Sequence, residues 1–225
     1  MIAHSNNNLL RHPGRVLIRV FMFASLFLLA GYSVYFGARA GLADSMTLKA
    51  HSNISKWREG NNLPPDISAW KESRESLIAA LNYAPDNPQL YEDLAFLYGL
   101  RATAAHKVPE LEREFLKQVL IYDKQALPLR TMSPHTWSNI ALAHHYLGDD
   151  DAEMWPAFDL AMAYGNNEPA VQLTLAEIGL ARWKELSEAR RAGLNAAFAR
   201  ASPSLRVMLE AMAKRYQHNY PKSGA

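Results

Sequence analysis

Hydrophobic positions along this chain follow two different patterns. Near the N-terminus they are continuous: Val20 to Ala38 reads VFMFASLFLLAGYSVYFGA, with no charge and no proline. At about 1.5 Å rise per residue, roughly 20 apolar residues cross the hydrocarbon layer of a bilayer. Tyr32, Tyr35 and Phe36 stand near its far end, where aromatic rings favour the lipid–water boundary. Arg11, Arg15 and Arg19 precede it without an acid, while Arg39, Asp44 and Lys49 follow it as a mixed set. The positive-inside rule then makes 1–19 a cytoplasmic basic segment, 20–38 a transmembrane anchor, and the remainder an exported part. A cleaved secretory signal is the competing reading, because Ala38-Arg39-Ala40 is an A-x-A triplet. Against it, the apolar run is longer than the roughly 7–15 residues of a signal core. Ser33, Gly37 and Gly41 recur every fourth residue, a spacing that suits a weak homodimer of such helices or ordinary small residues near a helix end.

Residues 39–66 read as a linker. Met46 to Trp57 allows a short helix, but its periodicity is poor. Asn61-Asn62 and then Pro64-Pro65-Asp66 mark a stop followed by a helix start.

From residue 67 to 216 the apolar residues are punctuated by prolines instead. Asn87-Pro88, Ser133-Pro134, Glu168-Pro169 and Ser202-Pro203 are spaced by 46, 35 and 34 residues. Proline suits the first helical position, where its missing N–H would be unpaired anyway, and Asn or Ser before it can cap. Three residues after each proline stand Tyr91, Trp137, Gln172 and Arg206; six after, Leu94, Ile140, Leu175 and Leu209. Seven after come Ala95, Ala141, Ala176 and Glu210, and ten after come Tyr98, His144, Gly179 and Ala213. Steps of three and four keep these positions on one helix face. Ala80, Ala126 and Ala161, eight residues before the first three prolines, belong to a second helix packed into that face. The expectation is an all-α chain: a transmembrane helix, then about three and a half helical hairpins stacked as an α-solenoid, then a tail at 217–225.

The pattern resembles the tetratricopeptide repeat (TPR), most closely in AALNYAPDNPQLYEDLAFLY, Ala79 to Tyr98. The second unit keeps Trp137, Ile140, Ala141 and the turn Gly148 but has His144 where an aromatic is expected. The third keeps Leu175 and Ala176, and the fourth is a polar remnant suited to a capping end. The long first spacing adds roughly a dozen residues to the TPR period, at RATAAHKVPELEREF, where Pro109, Glu110 and Glu112 signal a helix start; the first hairpin should be elongated. Pro156 should kink or delay the helix after Asp149-Asp150-Asp151.

A narrower resemblance runs over about residues 70–206, to small membrane-anchored TPR-like proteins of bacterial exopolysaccharide clusters, the VpsP type. It rests on Arg130, Ser133-Pro134, Trp137, Gly148-Asp149, Gly165, Glu168-Pro169-Ala170-Val171 and Trp183. The helical repeats of O-antigen-ligase-like proteins look similar too. The resemblance implies a single-pass inner-membrane protein with a periplasmic repeat domain, working as scaffold with protein partners in polysaccharide synthesis or export. A glycan-binding accessory and a generic TPR assembly factor are the alternatives.

The chain has 225 residues, with 24 Lys+Arg against 22 Asp+Glu and no cysteine. That near balance gives no electrostatic case for nucleic acid, and the missing thiols exclude cysteine nucleophiles and cysteine-ligated metals. His144 and His145 are adjacent, so they point about 100° apart rather than converging on a metal, and His144 falls in the repeat interior. Asp149-Asp150-Asp151 lacks the spacing of a calcium loop. Glu110, Glu112, Glu114, Glu185 and Glu188 follow solvent-face spacing, and no nucleophile elbow, phosphate loop or zinc helix appears. The reading is a non-enzyme without cofactor or metal. Trp57, Trp70, Trp137, Trp155 and Trp183 would serve a sugar only where exposed. In the TPR register the concave, partner-binding face would carry Gln89, Glu92, Asp93, Phe96, His135, Ser138, Asn139, Leu142 and His145.

Overall fold

The computed structural model describes residues 13–60, 63–148 and 151–218; Arg11, Asn61-Asn62, Asp149-Asp150 and most of the expected tail lie outside them. Among the described residues the fold is all-helical, with no strands. The helices are α1 (Pro13–Arg58), α2 (Ile67–Leu81), α3 (Pro88–Ala104), α4 (Pro109–Ala126), α5 (Pro134–Leu147), α6 (Asp151–Tyr164), α7 (Pro169–Ala181), α8 (Glu188–Arg200) and α9 (Pro203–Arg215). A short 3₁₀ turn, Trp183–Glu185, joins α7 to α8.

The prolines do what their position dictates. Helices α3, α5, α7 and α9 each begin on one, and Asn87, Ser133 and Ser202 cap with their side-chain oxygens. Gly148 ends α5 in the left-handed conformation (φ 66°), which glycine adopts without strain. Consecutive helices pack as α1 on α2, α3 on α4 and α5 on α6. Leu94, Ile140, Leu175 and Leu209 are all buried, as are Ala95, Ala141, Ala176, Ala80, Ala126 and Ala161. His144 is buried as well, with Nε2 3.2 Å from Glu153 Oε2.

Two expectations need correcting. Residues 39–66 are not a linker throughout: α1 continues without a break to Arg58, spanning about 69 Å at 1.5 Å per residue. Ala43, Thr47, Ala50, Ile54 and Trp57 are buried on one face of it, against α2 and α3. Their spacing is helical, but two alanines and a threonine carry so little hydrophobic contrast that the stripe is faint in sequence. Of the two effects expected of Pro156, a kink or a delayed start, the delay is not found: α6 starts at Asp151 and passes through Pro156 in its second turn.

The N-terminal part of α1 is exposed along its apolar length, and among the described residues it is the one helix long and apolar enough to cross a membrane. Two apolar cores meet at α5. Ala143 and Leu147 join the core under α1–α4, whereas Ile140 and Ala141 join that under α6–α9.

Candidate functional site

The chain's elongated hairpin builds an apolar recess. Helices α3 and α4 have 17 and 18 residues against 14 each in α5 and α6. Between them and α5 lies a groove of about 410 Å³. Small residues leave it open: Ala95, Gly99 and Ala102 along α3, and Ala143 on α5. A Cβ built on Gly99 would meet nothing within 4 Å. Phe96, Leu100, Leu116, Val119 and Leu142 make the walls apolar, and Asn139, Thr103, His106, Glu112 and Tyr146 add polar groups. Arg113 donates to the Leu147 carbonyl at 3.2 Å and ties α4 to the end of α5.

Of the nine residues placed on the partner face by register, the groove brings together Phe96, Asn139 and Leu142. Gln89 and Asp93 lie elsewhere, in an open polar recess shared with His51, Ser55 and Arg58 of α1. Asp93 is buried, and its carboxylate accepts from Arg58 Nη2 at 2.7 Å and Gln89 Nε2 at 2.8 Å, with His51 Nε2 at 3.3 Å. Glu92 accepts from Arg130, Ser133 and Thr136, joining α3 to the start of α5. Ser138 is buried and donates to the His135 carbonyl, while His135 is exposed. His145 is half-buried, and its pKa is lowered, first by burial and then by Arg182.

Register reasoning missed the floor of the groove, because it sought side chains where the site is made by their absence. The signal was Ala95, Gly99 and Ala102, small residues at i, i+4 and i+7.

Behind Asn139 lies Asp123 of α4, fully buried. Burial, and secondarily the charge of Glu92, push its pKa well above the carboxyl range; the Asn139 side chain acts the other way. Tyr146 is held protonated, pushed up to about 12 by burial and Glu177. No group of three or more His, Asp or Glu is placed to hold a metal ion among the described residues.

No family model, no curated protein and no solved structure matches the chain. Apart from His106, Glu112 and Tyr146 the lining of the groove is apolar or neutral, an arrangement that suits binding. All five tryptophans are buried or half-buried, and Trp155 is flanked by Arg182 and Arg190 at 5.2 and 4.5 Å from its ring centre.

Proposed function

We propose that this chain is a membrane-anchored, TPR-like adaptor that docks an amphipathic helix of a partner protein in the groove between α3, α4 and α5. The observation that carries this reading is the groove itself: an apolar trough about as wide as missing side chains make it, rimmed by a few polar groups. A helix laid in such a trough buries anchors at i, i+3, i+4 and i+7. The buried positions six and ten residues after each of the four prolines, and seven after the first three, support stacked repeats, and the apolar start of α1 supports an anchor. The setting, a bacterial envelope apparatus that makes or exports polysaccharide with the helical domain outside the inner membrane, is supported by the resemblance at Arg130 to Trp183 and by the basic residues before Val20.

The test is co-purification of the full chain from its native membranes in mild detergent. The wild type should retain a synthase, polymerase or export subunit; Gly99→Trp, which fills the trough, should lose it, and Ala104→Lys on the outside of α3 should not. Recovery of no such subunit, or equal recovery with Gly99→Trp, would count against the reading.

A further inference from the structure

The unbroken course of α1 fixes how deep the helical domain sits. Helix α2 runs back along α1 in the opposite direction: Lys49 Nζ lies 2.6 Å from Glu72 Oε1, and Asn53 donates to Ser73 Oγ at 3.1 Å. At the end of that hairpin Arg39, the first charge after the apolar stretch, donates to two backbone carbonyls of the α2–α3 turn, Tyr83 at 3.0 Å and Asn82 at 3.1 Å. Its other arm reaches the Tyr35 hydroxyl at 3.3 Å, inside the apolar stretch. One guanidinium therefore bridges the end of the span to the loop that opens the next helix. The loop stands at the same height along α1 as Arg39.

That end of the hairpin exposes four large apolar side chains among the polar Asp44, Asn82 and Asp86. Leu42 is 51% exposed, Met46 38%, Ile78 39% and Tyr83 39%. Leu42 is three residues past Arg39, about 4.5 Å along the axis, and the headgroup layer on each side of a bilayer is roughly 5–7 Å thick. Ile78 sits one turn before the end of α2 and so comes back to the same level. Tyr83 carries the amphipathic ring that favours this layer.

We propose that the membrane end of the α1–α2 hairpin is sunk in the lipid headgroup layer, with Leu42, Ile78 and Tyr83 as an interfacial collar, so that the domain is held at a fixed depth against the bilayer. The occupant of this surface is lipid, because the collar is continuous with the span and lies beside its exit. The proposal rests on reading α1 as an anchor. It goes beyond that reading, since an anchor alone would leave the domain free to hang below the membrane.

The absence of cysteine makes the test clean. Single cysteines at Leu42, Tyr83, Phe27 and Ala104 of the full chain carry a nitroxide label, and the protein is reconstituted in phosphatidylethanolamine–phosphatidylglycerol vesicles. Collision with dissolved oxygen and with an aqueous nickel chelate then reports depth. All four positions are exposed, so the labels leave the core in place. Labels at Leu42→Cys and Tyr83→Cys should collide with nickel several-fold less than the label at Ala104→Cys, about 24 Å further along α3. Adding Arg39→Ala should return the Tyr83 label towards water. Either collar label reading like Ala104 while Phe27→Cys reads as deep in lipid overturns the collar and leaves the anchor standing. A water-like reading at Phe27 overturns both.

Discussion

Arg58, the last residue of α1, places its guanidinium 2.7 Å from the carboxylate of Asp93, which is only 2% exposed in the second turn of α3. This contact locks the helix that leaves the apolar stretch to the first helix that forms the groove. Arg58 also covers the Phe96 ring, 4.9 Å from its centre, and Phe96 lines that groove.

Removing the acid should cost more than removing the base. Asp93→Ala strips partners from Arg58, Gln89 and His51 and should lower unfolding stability by about 2–3 kcal/mol. Arg58 is half exposed and Asp93 keeps two other neighbours, so Arg58→Ala should cost about 1 kcal/mol. Chemical denaturation of the detergent-solubilised chain followed by tryptophan fluorescence measures both, and equal losses would contradict the asymmetry.

The end of α1 should prove part of the domain. A fragment 40–218 keeps Ala43, Ala50, Ile54 and Trp57 and should unfold cooperatively. A fragment 67–218 loses them, with about 1.5–3 kcal/mol for each of the two large side chains, and uncovers Leu77 and Leu90. It should aggregate or melt without a cooperative transition, as circular dichroism during heating would report.

Asp123 should make the fold less stable as pH rises. Its folded pKa is raised, so the native state holds the proton more tightly than the unfolded chain does. Stability attached to that proton is fully present below the ordinary carboxyl value, about 4, and is lost as pH climbs through the raised folded value. Asp123→Asn carries no charge to bury and should be more stable than wild type at pH 7 by about 1–3 kcal/mol. The gap should close towards pH 4. A gap that stays constant with pH would show that ionisation of Asp123 is not its source.

Two glycines should respond in opposite directions. A Cβ on Gly165 would lie 2.6 Å from Val171 Cγ1, 2.8 Å from Pro134 Cβ and 2.9 Å from the Ala161 carbonyl. Gly165→Ala should therefore cost about 1–3 kcal/mol through forced repacking where α5, α6 and α7 converge. Gly99→Ala meets open space inside a helix and should gain about 0.5–1 kcal/mol. Thermal melts of the two variants beside wild type decide both.

What could be read from the sequence is what depends on local chemistry. The Pro88, Pro134, Pro169 and Pro203 starts, the Asn87, Ser133 and Ser202 caps and the Gly148 stop follow from backbone rules that act within one turn. The buried leucines and alanines at fixed offsets from each proline follow from helical periodicity, and the length and apolarity of Val20–Ala38 need no partner to be recognised. Extra residues between Arg101 and Phe115 announced a longer first hairpin.

Only the tertiary structure decided which faces meet and what they leave empty. Asp93, Glu92 and Ser138 sat on the expected partner face, yet the folded chain spends them on α1, on the start of α5 and on burial. The groove is a volume bounded by three helices, and a volume has no letter in a sequence. Residues 43–57 looked like a tether because small residues give a weak stripe, and only α2 and α3 closing over them turn that stripe into core. The sequence by itself determined where α3, α5, α7 and α9 begin and which side they hide, since those are short-range effects. Packing between helices distant in the chain determined the site, because it sums many contacts that no single segment contains.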